Sequence, residues 1–473
     1  MVLWRKLLWG GLVVVMALGG AFWQVAPEAR AQVPTAVEVW YFPPDELGPA
    51  LIEYRDAAGT VLASYALASD SVTEFLQGGG VLTTSDSAEF IGVFDPRVGL
   101  LRYFSVYDKP QDTDAEFYVL SRAVPAPNGD FVYAISRMST QFDAPSYNII
   151  YYADASYEQV RTIYSVESAE PWYRMEPFAW SDDGATVLLH NAPEGIGGYI
   201  LFWTYVGVQA RSLANMEQGV LLGDIDGFAG DLSMTALVAR NDDYTVQGIN
   251  VTTLATGATA FYPLPELGET VHAGGNAHFS PSGALLAYQV ARENPLNEKL
   301  WTLVVDLQSG QTRVVAEQEL TPEDWNLKYI AGWMGENMLA LSNPWGGNSL
   351  LVNLETGTRT EAPGVFLGYA QGVSDVSGFA PPGMVPVQCD TSPVSRLQPA
   401  ARGQVVAESV ELHSWASYDS EVTAREPAGA TFTVQHGPYC TPSTLWWDVL
   451  FDDGQRGYVI EGNAQGLYLA PLQ

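Results

Sequence analysis

Asp224, Asp226 and Asp231 are grouped in one short stretch, GDIDGFAGD, at residues 223–231. Carboxylate oxygens are the ligands that Ca²⁺ prefers in proteins, so this acidic loop is a candidate calcium site. Its spacing lacks the full ligand pattern of an EF-hand, and an acidic turn in contact with solvent explains the same residues without a metal. The solvated turn is the favoured interpretation, and no cofactor is expected.

Other catalytic arrangements are not indicated. The sequence contains no G-x-S-x-G nucleophile motif, no HExxH zinc motif and no P-loop. His190, His272 and His278 stand apart in β-rich surroundings, where a structural role is favoured over metal binding. Carboxylates are numerous enough for a glycosidase pair, but no motif singles one out. An enzyme is therefore the less favoured class, and a secreted hydrolase acting on glycan or peptide is the alternative function.

Aromatic residues near the carboxyl end are candidates for ligand binding. Alternation along the strand at 446–451 predicts that Trp447 faces the core and that Trp446 lies on the other face with Asp448. An exposed aromatic side chain beside polar groups predicts a binding surface. A slightly favoured alternative is that Trp446 only covers the linker or the preceding domain. The expected aromatic neighbours of Trp446 at this surface are Trp415, Tyr458 and Tyr468.

The chain has two cysteines, Cys389 and Cys440. In an exported protein an even pair predicts a disulfide. Closing a loop of this length stabilises the folded state by about 4 kcal/mol in the chain-entropy account. A metal or redox pair is the weaker alternative, because there is no CxxC motif and no further ligand is evident.

The elements that position these residues are β-strands in a repeated pattern. The clearest unit runs from His278 to Gly310: a turn at 280–283, an apolar strand at 284–290, a second strand at 300–306 and a glycine-containing hairpin at 306–310. Residues 311–316 return as an edge strand. Such a four-stranded antiparallel unit is typical of a β-propeller blade.

Weaker versions of this unit recur along most of the chain. The late hairpin glycines are Gly257, Gly310 and Gly357, and the pitch is roughly 50 residues, a period typical of propellers and solenoids. The sequence therefore predicts an all-β protein with a propeller of about seven blades at residues 32–380. Six or eight blades, or a plain β-sandwich array, are the alternatives.

The amino terminus reads as an export signal. Residues 1–31 contain Arg5 and Lys6, then an apolar core, then the small-x-small sequence that ends at Ala31. This pattern predicts a secretory signal peptide cleaved after Ala31, with an uncleaved membrane anchor as the alternative. The mature protein is then secreted or held in the extracytoplasmic cell envelope.

The charge of the chain excludes some partners. The chain has 22 basic and 54 acidic residues, a net charge of −32. Nucleic acid and anionic membrane surfaces are unfavourable partners for such a protein, because both require clustered Lys and Arg. Solubility through self-repulsion explains most of the charge.

A second domain follows the repeats. The proline-rich segment at 381–394 predicts a short stiff linker that cannot sustain a strand ladder. Beyond it, residues 395–473 contain five short strand segments, which predict a small barrel.

Two families resemble these parts. The turns FSPSG at 279–283 and FAWSDDG at 178–184 are similar to those of TolB-like and WD40-like propellers, which implies a binding or scaffolding domain. The blocks AGATFTV, GPYC, WWDV, GYV and EG, in this order between residues 428 and 462, resemble a bacterial SH3 (SH3b) domain. That resemblance implies binding of cell-wall peptides or other proteins. The expected function is an exported cell-envelope binding or scaffolding protein, with cell-wall peptide, glycan or an envelope protein as its partner.

Overall fold

The computed structural model describes residues 37–472 apart from 44–49, 67–73, 77–79, 85–89, 96–98, 106–115, 140–145, 155–158, 169–173, 193–201, 203, 293–298, 320–326, 344–346, 371–382, 385–386, 391 and 442–443. The predicted signal peptide, residues 1–31, lies outside the described residues. The regular structure of the described residues consists of β-strands. None of these residues belongs to a helix with the length and apolar character needed to cross a membrane.

The first 28 strands of the described residues build a ring of sheets. They are β1 (Val37–Phe42), β2 (Leu51–Arg55), β3 (Val61–Ala66), β4 (Glu74–Leu76), β5 (Gly80–Thr84), β6 (Phe90–Asp95), β7 (Leu100–Ser105), β8 (Glu116–Pro125), β9 (Phe131–Ser139), β10 (Ser146–Ala153), β11 (Val160–Ser168), β12 (Arg174–Trp180), β13 (Thr186–Ala192), β14 (Tyr205–Ser212), β15 (Asn215–Ile225), β16 (Gly227–Phe228), β17 (Met234–Arg240), β18 (Val246–Thr253), β19 (Ala258–Pro263), β20 (Ala273–Phe279), β21 (Leu285–Arg292), β22 (Lys299–Asp306), β23 (Thr312–Glu319), β24 (Tyr329–Trp333), β25 (Met338–Ser342), β26 (Asn348–Asn353), β27 (Arg359–Pro363) and β28 (Val365–Ala370).

The ring is a seven-bladed β-propeller, which confirms the predicted fold class. Blade 1 contains β1–β3, and blades 2 to 7 contain β4–β7, β8–β11, β12–β15, β16–β19, β20–β23 and β24–β27. Inner strands of several neighbouring blades contact one another: β8 contacts β12, β16 contacts β20, and β24 contacts both β20 and β28. The last ring strand, β28, pairs antiparallel with β1 and becomes the inner strand of blade 1. One sheet therefore joins the two ends of the ring.

Hairpin turns within the blades follow the predicted chemistry. Gly257, Gly310 and Gly357 have φ values of 68°, 73° and 70°, the left-handed region that glycine adopts without strain. In the turn after β22, the Asp306 carboxylate accepts hydrogen bonds from the backbone N–H groups of Gln308 and Ser309, both at 2.9 Å. The residue at which these three hairpins reverse can therefore be identified from local sequence.

Apolar residues fill the spaces between neighbouring blades. Blades 5 and 6, for example, share a core that includes Ile249, Tyr288 and Trp301. Blades 6 and 7 share a similar core around Leu339 and Trp333. Because each sheet is covered on both faces by its neighbours, its strands contain runs of buried residues rather than strict alternation.

Ten strands follow the ring. They are β29 (Gly383–Met384), β30 (Val387–Cys389), β31 (Arg402–Val405), β32 (Ser409–His413), β33 (Val422–Pro427), β34 (Thr431–Thr441), β35 (Thr444–Phe451), β36 (Arg456–Asn463), β37 (Gly466–Leu467) and β38 (Leu469–Pro471).

The predicted linker forms strands, contrary to the expectation from its prolines. β29 pairs parallel with β3 at the outer edge of blade 1, and β30 pairs parallel with β7 at the outer edge of blade 2. Both pairings are very short, which is why the prolines on either side are compatible with them. The segment thus runs along two blades.

Strands β31 to β38 form one curved sheet, here called the C-terminal sheet, in the order β33-β32-β36-β35-β34-β31-β38, with β37 beside β36. Its inner face buries Phe432, Trp447 and Val459. These side chains belong to one apolar cluster with Tyr54 of blade 1 and Phe94 of blade 2. The core of the C-terminal sheet is therefore continuous with the core between blades 1 and 2.

Candidate functional site

Three aromatic rings lie together on the outer side of the C-terminal sheet. The ring centroids of Trp415 and Tyr458 are 5.2 Å apart, those of Tyr439 and Tyr458 are 5.5 Å apart, and those of Trp415 and Tyr439 are 6.3 Å apart. Trp415 is 60% exposed, and the two tyrosines are partly buried. We call Trp415, Tyr439 and Tyr458 the aromatic face.

Strand pairing positions the two tyrosines. Tyr458 of β36 lies opposite Asp448 of β35, and Tyr439 of β34 lies opposite Trp446 of β35. Strand β35 therefore lies between the two strands that carry the tyrosines. The two tyrosines lie on strands separated by β35, and their rings meet across it, with centroids 5.5 Å apart.

Trp415 comes from the loop at 414–421, which is closed by a hydrogen bond from the Ser414 N–H to the Glu421 carbonyl at 2.9 Å. The Ser420 hydroxyl donates to the carbonyls of Trp415 and Ser417, at 2.8 Å and 2.7 Å. His413 contacts the same loop, with its Nδ1 3.2 Å from the Ser420 Oγ. These bonds order the backbone of the loop at Trp415 before any ligand arrives, which lowers the entropy cost of binding.

The prediction that Trp446 is exposed is wrong, because Trp446 is fully buried. Its ring does lie on the face opposite Trp447, as alternation predicts. His413 and Tyr418 cover it with edge-on ring contacts at 5.1 Å and 5.4 Å. Its Nε1–H donates to the Thr441 hydroxyl at 2.8 Å, so the indole is satisfied where it is. Trp446 therefore lies beneath the loop that carries Trp415.

Of the other predicted site residues, Trp415 and Tyr458 come together and Tyr468 does not join them. The Tyr468 hydroxyl donates to the Asn463 side chain at 3.1 Å, and its ring packs against the inner core. Tyr439 takes the place that was predicted for Trp446. Thr441 pairs with Thr444, and this register places Tyr439 opposite Trp446. The short sequence between the two threonines was the signal from which Tyr439 could have been predicted.

An arginine borders the aromatic face. Arg456 donates from Nε to Asp448 Oδ1 at 3.1 Å and from Nη2 to Asp448 Oδ2 at 2.7 Å. The Asp448 side chain is 6% exposed and that of Arg456 is 55% exposed. Burial raises the pKa of Tyr439, and Tyr458 and Asp448 raise it further, whereas Arg456 opposes this shift. The guanidinium is thus close enough to the tyrosines to act on them electrostatically.

A second ion pair lies on the neighbouring strands. Glu411 of β32 accepts a hydrogen bond from Arg425 of β33. The Arg425 side chain is 71% exposed. Two strands, β32 and β33, therefore carry this pair, whereas β35 and β36 carry the Asp448–Arg456 pair.

The disulfide prediction is confirmed: Cys389 and Cys440 are bonded, with their Cα atoms 5.5 Å apart. Cys389 belongs to β30 at the edge of blade 2, and Cys440 follows Tyr439 in β34. The bond therefore links the ring to the strand that carries part of the aromatic face. No free cysteine occurs among the described residues.

A buried carboxylate adds to this connection. Glu461 accepts hydrogen bonds from the Trp447 indole N–H at 2.6 Å and from the backbone N–H of Arg396 at 2.7 Å. It also accepts from the Ser395 hydroxyl and the Leu397 N–H. Burial raises its pKa, and these donors oppose the rise. Glu461 fixes the chain that leads from the ring onto the C-terminal sheet.

The three aspartates of the acidic loop serve separate local contacts. Asp224 accepts from the Gly207 N–H at 2.8 Å, and Asp231 accepts from the Ser233 N–H at 2.9 Å. Asp226 is buried and accepts from the Thr204 hydroxyl and the Val238 N–H, both at 2.7 Å. The described residues contain no group of three His, Cys, Asp or Glu side chains able to hold a metal ion.

No protein-family model and no curated protein matches this chain. Among solved structures, the chain is similar to oligogalacturonate lyase in complex with manganese, at 9% identity over 70% of this chain and 85% of the other, with a TM-score of 0.35. It is similar to the β-propeller domain of Cps50 (Swd1) from Myceliophteria thermophila, at 11% identity over 70% and 97%, with a TM-score of 0.33. It is also similar to the β-propeller domain of the Trilobed protease from Pyrococcus furiosus, at 10% identity over 76% and 98%, with a TM-score of 0.33.

Proposed function

We propose that this chain is an exported binding protein of the cell envelope, in which the C-terminal sheet is an SH3b-like barrel that binds cell-wall peptide through the aromatic face. The single observation that carries this proposal is the group of Trp415, Tyr439 and Tyr458. Trp415 is exposed beside the two partly buried tyrosines. Aromatic side chains supply large contact area at low entropy cost, and they dominate many binding surfaces.

The compartment is part of the same proposal. Disulfides form and persist in oxidising compartments, so the Cys389–Cys440 bond supports an extracytoplasmic location. The propeller, which resembles TolB-like propellers in its turns, offers a further surface for a protein, peptide or glycan. Because the disulfide and the shared core join the barrel to blades 1 and 2, the propeller is carried wherever the barrel binds.

The test is co-sedimentation of the mature chain, residues 32–473, with purified peptidoglycan. The whole chain is used because cutting between ring and barrel would expose their shared core. The unaltered chain is expected to pellet, and Trp415→Ala is expected to weaken retention about 10-fold or more, since tryptophan dominates such surfaces. The matched control is Tyr244→Ala, which removes a 74% exposed aromatic from blade 5 and leaves retention unchanged.

Two results would contradict the proposal. If the unaltered chain stays in the supernatant, the barrel does not bind the wall. If the chain pellets and Trp415→Ala pellets equally well, binding occurs elsewhere on the molecule. Thermal melting of both variants establishes that they are folded.

A further inference from the structure

Arg456 is held at the edge of the aromatic face in a protein that has little positive charge. The chain has 22 basic against 54 acidic residues, so positively charged side chains are few. Its side chain is 55% exposed, and the pKa of the guanidinium is raised by its hydrogen bonds to Asp448. It therefore carries a full positive charge at this surface.

The pairing with Asp448 leaves donors available. A guanidinium has five N–H groups, and the two bonds to Asp448 use one on Nε and one on Nη2. Within the described part of the chain, no acceptor takes the remaining three. They belong to the end of the guanidinium that lies away from Asp448, and both Tyr439 and Tyr458 are close enough to interact electrostatically with the group.

Asp448 fixes the orientation of this arginine. Its side chain is buried in β35, where Asp448 lies opposite Tyr458 on one side and His436 on the other. A buried carboxylate that holds a guanidinium through two bonds aligns its free N–H groups in a plane, the geometry that suits a second carboxylate. The arrangement is preorganised for an anionic group, because little rotamer freedom remains to be lost on binding.

The other paired arginines of the C-terminal sheet differ from Arg456 in their surroundings. Arg402 forms an ion pair with Asp452 and also donates to the Thr433 hydroxyl, but it contacts none of the three rings of the aromatic face. Its side chain is 43% exposed, similar to that of Arg456. Arg402 therefore has the charge and the pairing of Arg456 without the aromatic neighbours.

We infer that the aromatic face binds a peptide that carries a free carboxylate, and that Arg456 binds this carboxylate while Trp415 and Tyr458 contact the adjoining apolar part of the peptide. The inference rests on the proposed function and assigns the chemistry of the ligand at that site. In the cell wall, the stem peptides bear such carboxylates. The ligand class is therefore an acidic wall peptide rather than its glycan.

The test measures binding of the mature chain to purified peptidoglycan in three forms. One is untreated, one has its carboxylates converted to amides, and one is glycan freed of its peptides. Arg456→Gln is compared with Arg402→Gln, which loses the same charge from an arginine of similar exposure on the same sheet. Arg456→Gln is expected to weaken binding to untreated wall about 10- to 100-fold, the usual effect of a charge-assisted hydrogen bond. Arg402→Gln is expected to change it less than about 2-fold, as for an exposed ion pair.

Amidated wall is expected to bind the unaltered chain as weakly as untreated wall binds Arg456→Gln, with no further loss in the variant. Peptide-free glycan is expected not to bind. Since Arg456→Gln leaves Asp448 buried without its partner, the double variant Arg456→Gln with Asp448→Asn is measured beside it. The double variant keeps the surface neutral and is expected to show the same loss of affinity.

The inference is overturned if Arg456→Gln binds like Arg402→Gln, if amidation does not change the affinity, or if peptide-free glycan binds as well as intact wall. In each of these cases a loss of binding in Trp415→Ala still upholds the aromatic face as the wall-binding site. If the unaltered chain does not bind untreated wall, both the proposed function and this inference fail.

Discussion

Two kinds of joint hold this molecule together, and they differ in how they are built. The joints between blades repeat: Trp180 of blade 4 donates from Nε1 to the Val124 carbonyl of blade 3 at 2.9 Å. Trp333 of blade 7 donates to the His278 carbonyl of blade 6, also at 2.9 Å. Both tryptophans end the inner strand of their blade, so the same hydrogen bond between blades occurs at two corresponding positions.

The joint between the ring and the C-terminal sheet occurs once. It consists of two added edge strands, a continuous apolar cluster, the buried Glu461 and one disulfide. Its apolar cluster includes residues far apart in sequence, such as Phe94 and Trp447. The ring is thus stabilised by many small, similar contacts between blades, whereas the attachment of the C-terminal sheet depends on a few contacts of different kinds.

Removing the disulfide is expected to lower the free energy of unfolding more than any other change considered for these two kinds of joint. The double variant Cys389→Ser with Cys440→Ser opens a loop with a sequence separation of 51 residues. The chain-entropy account predicts a loss of about 4 kcal/mol, because the unfolded chain regains the freedom that the bond removed. Chemical denaturation measures this loss, and hydrogen exchange is expected to rise in β30 and β34 but not in blades 4 to 6. An unchanged unfolding midpoint would show that the other contacts of the joint attach the C-terminal sheet without help from the disulfide.

The propeller was predictable from the sequence, whereas the hydrogen bonds between its blades and the joint to the C-terminal sheet largely were not. Local turn chemistry at Gly310 and the pitch of the blades indicate the propeller, because each unit repeats the same short-range rules. The pairing of the cysteines followed from their number and the expected compartment. The closing strand β28 and the edge strands β29 and β30 were missed, because their partners lie far away in the sequence and no alternation marks them.

The candidate site shows the same limit. Alternation correctly assigned Trp447 to the core and Trp446 to the opposite face. It does not reveal what covers a face, so the burial of Trp446 beneath the loop at 414–421 was missed. Trp415 and Tyr458 were predicted as neighbours, whereas Tyr439 and Arg456 depend on the register of three strands.

The free energy of unfolding is expected to depend on pH through His278, whose backbone carbonyl takes part in the joint between blades 6 and 7. Burial lowers the pKa of His278 to about 4, from a usual value of about 6.5. Between these two pH values the folded protein binds fewer protons than the unfolded chain, so stability is complete above about pH 6.5 and is lost as the pH falls toward 4. The loss amounts to at most about 3 kcal/mol.

The measurement is the free energy of unfolding at pH 4.5, 5.5 and 7 for the unaltered chain and for His278→Gln, whose glutamine can still hydrogen-bond to Asn276. The difference between the two is expected to shrink as the pH falls, because only the histidine loses stability by protonation. His272→Gln serves as the control, since His272 is exposed. A difference that stays constant with pH would mean that His278 titrates alike in the folded and unfolded chain.

The smallest effect is expected from removing one inter-blade hydrogen bond. Trp180→Phe deletes the indole N–H and leaves the buried Val124 carbonyl without this donor, which costs about 2 kcal/mol together with the smaller ring. Tyr288→Phe is the matched control in the core of blades 5 and 6. The Tyr288 hydroxyl is buried and has no hydrogen-bond partner among the described residues, so its removal is expected to be neutral or stabilising. Equal destabilisation by the two variants, measured by chemical denaturation, would mean that the loss in Trp180→Phe is not specific to its hydrogen-bonded indole. Destabilisation in Trp180→Phe alone would show that the indole hydrogen bond stabilises the ring. Phe228 and Phe279 occupy the corresponding positions of blades 5 and 6 and cannot form this bond.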